Sequence, residues 1–100
     1  MDLGSTIKKY RQQKGINQES FAKKCEISQA FLSQIENNKK DPNLSILKSI
    51  SDCLDIPLPF LFFLSIEAKD IKPGKRKAFQ MLEPSVKSLI EQIINAPSND

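Results

Sequence analysis

The amino-acid sequence predicts an all-helical protein, and three observations lead to that fold class. Apolar residues recur at intervals of three and four along most of the chain, which is typical of amphipathic helices and leaves no need for a strand. Glycine occurs only at Gly4, Gly15 and Gly74. Polar N-cap candidates and prolines separate the periodic segments. A chain of 100 residues has room for one hydrophobic core.

The first helix is predicted from about Leu3 to Lys14, with Ile7 and Tyr10 facing inward. Gly15 follows as the residue that adopts the left-handed conformation in which helices commonly end. Asn17 then offers a side-chain oxygen as the N-cap of a second helix.

The second helix spans about 18–25, with Phe21, Ala22 and Cys25 at inward positions. After a turn at 25–27, Ser28 is the N-cap candidate of a third helix over about 29–37, which offers Phe31, Leu32 and Ile35 to the core. Two short helices thus flank a tight turn.

A polar loop at 37–43 leads to a fourth helix over about 44–54, which places four residues on one face: Leu47, Ile50, Ser51 and Leu54. Pro57 and Pro59 suit the first turn of a fifth helix over about 58–66. Its apolar run is far shorter than the ~20 residues of a membrane span, so no membrane partner is expected.

The last third of the chain reads as a charged linker at 69–77 followed, after Pro84, by an amphipathic segment. That segment packs either on the five-helix core or on a partner chain; its apolar positions are Val86, Leu89, Ile90, Ile93 and Ile94. We therefore predict a domain at 1–68, a linker and helical extension at 69–96, and a disordered tail at 97–100.

Composition limits the chemistry that the chain can perform. The net charge of +3 permits contact with a polyanion without requiring it. Without histidine, and with only Cys25 and Cys53, an ordinary zinc site cannot form, and no cofactor is expected. The cysteines read as buried thiols of a reducing compartment, with a disulfide as the alternative. The N-terminal stretch has no export signal, which predicts a cytoplasmic protein.

A helix, a sharp turn and a second helix with an exposed polar face suit the major groove of DNA. Several features at characteristic spacing strengthen this reading: Asn17-Gln18, Phe21-Ala22, Ile27-Ser28, Ile35-Glu36-Asn37, Pro42, and Leu44, Leu47 and Leu54. On these residues the chain resembles the Cro and phage-repressor family, the xenobiotic-response-element-type helix-turn-helix regulators, over about 7–64. The resemblance implies a five-helix repressor-like domain.

By this resemblance the third helix is the recognition helix, and its outward residues Gln29, Ala30, Ser33 and Gln34 are expected at base edges. Glutamine pairs bidentately with adenine, and an alanine methyl contacts a thymine methyl, so A·T pairs are expected in the site. The alternative is an ordinary solvated helix face.

The resemblance also implies phosphate contacts and a structural ion pair. Phosphate contacts are expected from residues at helix starts and in the loop after the recognition helix, namely Gln18, Ser28, Asn37, Asn38, Lys39 and Lys40; for the lysines the alternative is a solvated charge run. Arg11 and Glu36 match a partly buried ion pair. Glu26 and Asn38 stand where the family often has glycine, so Glu26 must tolerate a left-handed turn or shift it.

Similar proteins bind palindromic operators as dimers, whose recognition helices enter grooves about 34 Å apart. We expect a homodimer surface from the apolar fifth helix and the C-terminal stripe, formed by Phe60, Phe62, Phe63, Leu89, Ile90 and Ile93. The alternative is that the last helix folds back on its own chain.

The expected function is transcriptional regulation, by repression or autoregulation, through binding of double-stranded DNA. Two alternatives remain: an antitoxin whose C-terminal segment binds a toxin, and a protein-interaction adaptor without a specific DNA site. An enzyme is not expected, because the chain has no histidine, no paired carboxylates and no phosphate-binding glycine loop.

Overall fold

The computed structural model describes residues 1–97, and within that range it contains six α-helices, two short 3-10 turns and no strand. The helices are α1 Leu3–Gln13, α2 Gln18–Lys24, α3 Gln29–Glu36, α4 Leu44–Leu54, α5 Leu58–Ser65 and α6 Arg76–Ile94. The 3-10 turns, Ala68–Asp70 and Pro73–Lys75, connect α5 to α6. The all-helical prediction is confirmed; most of the tail predicted to be disordered, residues 98–100, lies outside the described residues.

The boundaries of α1 to α5 agree with the sequence within one residue because local signals set them. Asn17 and Ser28 act as the predicted N-caps: their side-chain oxygens accept hydrogen bonds from the backbone N–H of Ser20 (2.8 Å) and Phe31 (3.0 Å). Asp2 and Asn43 cap α1 and α4 in the same way.

Helices α1 to α4 all end in a Schellman motif built around one left-handed residue. These residues are Gly15, Glu26, Asn38 and Asp55, with φ between 56° and 69°. At Asn38, for example, the N–H bonds the Ile35 carbonyl (3.0 Å) and the next N–H bonds the Gln34 carbonyl (2.8 Å). Each motif reverses the chain sharply, which keeps the connections between these short helices tight.

The five helices α1 to α5 enclose the core. It consists largely of the inward residues predicted for these helices. Its fully buried members are Ile7, Phe21, Leu32, Ile35, Ile50, Leu54, Ile56 and Leu61. Cys25 is buried and Cys53 half-buried, both as free thiols. Burial and a hydrogen bond with Cys53 raise the pKa of the Cys25 thiol to about 12.

The C-terminal region corrects the sequence interpretation in two ways. First, α6 is one helix that starts at Arg76 and runs through Pro84, so the linker predicted at 69–77 ends before Arg76 and the helical segment begins well before Pro84. Proline removes the hydrogen bond to the carbonyl four residues earlier. That residue, Gln80, is exposed, so water can bind the carbonyl, while packing on both sides of Pro84 holds the helix together.

Second, the apolar stripe of α6 is divided between two faces. Ile90 is buried within its own chain, Val86 and Ile94 are half-buried, and the Tyr10 hydroxyl donates to Glu91 Oε1 at 3.4 Å. The inner face therefore folds back on the domain. The outer face stays exposed, with Met81, Leu82, Leu89 and Ile93 between 56% and 75% accessible. Within residues 1–97, no helix combines the length and apolar character that crossing a bilayer requires.

Candidate nucleic-acid interface

The turn between α2 and α3 sets the angle at which α3 is presented. Glu26 adopts a left-handed conformation, with φ of 59°, and the N–H of Ile27 bonds the Ala22 carbonyl at 3.0 Å. Glu26 therefore accepts the conformation that glycine favours, at a cost of about 1 kcal/mol. Two residues later, Ser28 caps α3 at the position that the sequence predicts.

Helix α3 has one buried face and one exposed face. Leu32, Ile35 and Glu36 face the interior. The residues expected at base edges lie on the other side: Gln29, Ala30 and Gln34 are exposed, and Ser33 is half-buried. The four side chains share one short, polar, convex surface of the size that fits a major groove.

A buried ion pair connects α1 to the end of α3. Arg11 donates from Nε to Glu36 Oε2 (2.7 Å) and from Nη2 to Glu36 Oε1 (3.0 Å), in the bidentate geometry that makes such pairs strong. Its Nη1 donates to the Ile16 carbonyl at 2.8 Å, and both side chains are at least nine-tenths buried. The pair therefore ties α1 and the segment before α2 to the last residue of α3.

The ion pair extends to the recognition surface through Gln18, a connection that the sequence analysis missed. Gln18 Nε2 donates to Glu36 Oε1 at 3.1 Å, and Gln29 Nε2 donates to Gln18 Oε1 at 3.4 Å. Three side chains thus lead from buried Glu36 to exposed Gln29. The only sequence signal was that Gln18 and Gln29 each begin a helix, which gives no distance between them.

The residues expected to contact phosphate divide into free and engaged groups. Lys39 and Lys40 are exposed in the loop after α3. Asn37 is exposed but donates from Nδ2 to Ser33 Oγ at 3.5 Å, Ser28 uses its hydroxyl as an N-cap, and Gln18 is bonded as described above. Asn38 instead accepts a hydrogen bond from the Gly4 N–H (3.0 Å) and donates one to Asp2 (2.7 Å). Its side chain joins the start of α1 to the end of α3. The hydrogen bond from Asn38 is the main reason why the pKa of the Asp2 carboxyl is lowered.

Gly4 allows α1 to approach the end of α3 this closely. A Cβ at this position would lie 2.6 Å from the Glu36 carbonyl oxygen, 2.7 Å from Asn38 Oδ1, and against the Ile35 carbonyl oxygen. No side chain fits there without movement of the backbone. The start of α1 therefore packs directly against the C-terminal end of α3.

The residues expected at a dimer interface differ in how much surface they expose. Phe60, Phe62 and Phe63 are half-buried, and the Phe63 ring packs against Phe79 with 6.4 Å between centroids. Ile90 is only 5% exposed and faces its own chain, so it has little surface to offer a partner. Leu89 and Ile93 are more than half exposed on the outer face of α6.

Comparison with known proteins adds independent findings. A model of the helix-turn-helix family matches residues 7–61. The helix-turn-helix-type transcriptional regulator SinR of Bacillus subtilis is 34% identical over 55 residues, which cover 54% of this chain and 50% of SinR. The control protein C.MunI of a Mycoplasma species is 40% identical over 61 residues, which cover 60% of this chain and 82% of that protein. The chain thus spans about half the length of SinR.

One solved structure extends the similarity beyond the matched helices. The crystal structure of the clp gene regulator ClgR from Corynebacterium glutamicum aligns with a TM-score of 0.62 at 20% identity, over 90% of this chain and 87% of that one. At this identity the likeness concerns the fold. It covers more of the chain than residues 7–61, which the family model matches.

Proposed function

This chain belongs to the helix-turn-helix family of the Cro and phage-repressor type, and from that premise we propose that it is a transcriptional regulator that binds double-stranded DNA. It acts as a dimeric repressor or autoregulator by occupying a palindromic operator. The helix-turn-helix unit reads the bases, and the flanking loop and helix starts contact the phosphates.

The observation that carries the proposal is the hydrogen-bonded series Arg11, Glu36, Gln18 and Gln29. It spans the domain and ends on the first residue of the exposed face of α3. Gln29 gives one N–H to Gln18 and keeps its second N–H and its carbonyl oxygen, which are the groups that pair with N7 and N6 of adenine. A solvated side chain needs no such support, whereas a base-reading side chain gains from being held in place.

The neighbouring side chains complete the reading surface. Gln34 lies about one and a half turns further along α3 and offers a second amide, and the Ala30 methyl suits a thymine methyl. Ser33 lies on α3 between Ala30 and Gln34, and Asn37 and the lysines of the loop follow the helix. Lys39 and Lys40 supply charge for the phosphates. Ser28 and Gln18 lie at helix starts, where free backbone N–H groups can bind phosphate oxygens.

The test is selection of bound duplexes from a random DNA pool at ~150 mM salt, with three proteins. Wild type is expected to enrich a palindromic, A·T-containing site. The Gln29→Ala, Gln34→Ala variant loses or relaxes the preference at particular positions, because each base contact contributes about 1 to 3 kcal/mol. The Gln12→Ala, Gln80→Ala control removes two exposed glutamines outside α3 and keeps the preference. Enrichment of no site by wild type would refute sequence-specific regulation and favour the adaptor.

A further inference from the structure

The positive charge of this protein is concentrated in the connection between α5 and α6. Residues 69–77 carry five basic side chains and one acidic side chain, a net charge of +4, whereas the whole chain carries +3. The rest of the chain has a net charge of −1, although the matched helix-turn-helix region, residues 7–61, carries nine basic and six acidic side chains, a net charge of +3. Nine residues thus carry more net positive charge than the 55 residues of the matched region, and such clustered charge attracts the phosphates of DNA.

The connection is held in a defined shape. Arg76 Nε donates to the Ala68 and Ile71 carbonyls, each at 2.9 Å, and so closes the loop. The Glu67 N–H donates to Asp70 Oδ2 at 2.8 Å. The lysines therefore project from an ordered backbone, and binding a polyanion would order their side chains alone.

Three of these lysines are free to bind an anion. Lys72, Lys75 and Lys77 are exposed, and no carboxylate of residues 1–97 forms a salt bridge with them. Lys69 differs, since its Nζ lies 3.5 Å from Glu67 Oε2. The one acidic side chain of the segment, Asp70, is engaged with the N-terminal amine at 2.7 Å.

The basic connection lies at the same end of the molecule as the loop that follows α3. Asp2 joins the two: its N–H donates to the Ser65 carbonyl at 2.9 Å, and its carboxylate accepts from Asn38 at 2.7 Å. Lys69 follows Ser65 by four residues, a reach of at most about 14 Å. The Met1 amine, next to Asp2, lies 2.7 Å from Asp70 Oδ1, so the basic segment starts close to the loop that holds Lys39 and Lys40.

We propose that Lys72, Lys75 and Lys77 form a second DNA contact, which binds backbone phosphates of the duplex flanking the bases read by α3. The inference rests on the proposed function, because it takes the helix-turn-helix unit as the primary contact. It assigns the flanking contact to a segment outside the matched helix-turn-helix region. Such a contact adds affinity without reading sequence and depends strongly on salt.

The experiment compares wild type with Lys72→Gln, Lys75→Gln, Lys77→Gln and with a control of equal charge, Lys23→Gln, Lys24→Gln, Lys48→Gln. The control lysines are exposed; Lys23 and Lys24 lie at the end of α2 remote from Gln18, and Lys48 lies beside Ser49, whose hydroxyl donates to the Cys25 carbonyl at 3.2 Å. Binding is measured against salt on a mixed-sequence duplex of about 40 base pairs. The slope of log K against log salt is expected to fall by about 0.9 for each phosphate that the substituted lysines no longer neutralise, and to stay unchanged in the control.

A second measurement uses the duplex recovered by selection, either trimmed to the recognised site or extended by about one helical turn on each side. Extension strengthens the binding of wild type and control several-fold and has no such effect on the triple variant. Thermal unfolding shows whether each variant keeps its fold. Equal slopes for the triple variant and the control, or no effect of extension on wild type, would overturn the inference. If selection recovers no site, the proposed function fails, while the mixed-sequence slopes still decide the role of the lysines.

Discussion

Helices α1 to α5 bury their apolar side chains to a greater extent than helix α6 does. In the first region the amphipathic helices bury their apolar faces against one another, and α6 contributes only Ile90 to the fully enclosed core. Four large apolar side chains of α6 stay more than half exposed, and three of them, Leu82, Leu89 and Ile93, share one face of the helix. Large exposed apolar patches mark interaction sites in soluble proteins. The first region thus buries most of its apolar side chains within the chain, whereas α6 leaves an apolar face uncovered. We propose that a second copy of this chain covers that face.

The largest effect that separates the two regions is expected from their structural arginines. Arg11→Met leaves Glu36 buried without its partner and is expected to lower the free energy of unfolding by about 3 to 5 kcal/mol. Arg76→Met removes only bonds to two partly buried carbonyls and is expected to cost about 1 to 2 kcal/mol. Urea denaturation measures both values. Equal losses would mean that the Arg11 pair is not the essential connection of the first region.

Two adjacent residues of α6 divide the helix into its inner and outer faces. Ile90→Ala leaves a cavity and is expected to cost about 2 kcal/mol or more, whereas Leu89→Ala changes the stability of the monomer by less than about 0.5 kcal/mol. The oligomeric state, in contrast, should respond to substitution of Leu89 and not to substitution of Ile90.

Leu89→Glu with Ile93→Glu is expected to yield monomers by sedimentation equilibrium, with the fold retained, because charges cannot be buried unpaired in a dimer interface. A monomeric wild type would exclude the homodimer. A different protein bound to the same face in complexes isolated from the source cell would then favour the antitoxin interpretation.

The glycines provide a third comparison of the regions. Gly4→Ala places a methyl group against three oxygen atoms and is expected to destabilise the protein by about 1 to 3 kcal/mol. A Cβ at Gly74 meets no atom within 4 Å, so Gly74→Ala should stay within about 0.5 kcal/mol of wild type. Thermal unfolding checks both. Because Gly4 contacts the end of α3, its variant should also bind DNA more weakly under conditions in which it remains folded.

The last effect arises from the buried thiol of Cys25 and appears only at high pH. The native Cys25 thiol stays protonated while the thiol of the unfolded chain ionises near its ordinary pKa of 9.0. The stabilisation is therefore complete below about pH 9 and is lost as the pH rises toward 12. Denaturation between pH 8 and 11 should show a shallower decline for Cys25→Ala than for wild type. Identical slopes would mean that the buried thiol ionises as readily as a free one.

Much of the fold could be predicted from the sequence because its signals are local. Asn17 and Ser28 cap the helices that they precede, and the inward residues of α1 to α5 follow from the 3.6-residue period. Gly15 was found as a left-handed residue by its type, and Glu26 and Asn38 by the resemblance. The same position at Asp55 was missed, since aspartate adopts it only when the surrounding packing requires it.

The sequence also predicts which face of α3 carries the residues expected at base edges, because a helix period and a cap fix which side chains share a face. Packing alone decided what supports them. The bond from Gln18 to Gln29 spans 11 residues of sequence, and those from Gln18 to Glu36 and from Asn38 to Asp2 span 18 and 36. The split of the α6 stripe has the same origin. Periodicity shows that five apolar residues lie on one side of a helix, but only the docked position of that helix determines which of them are covered.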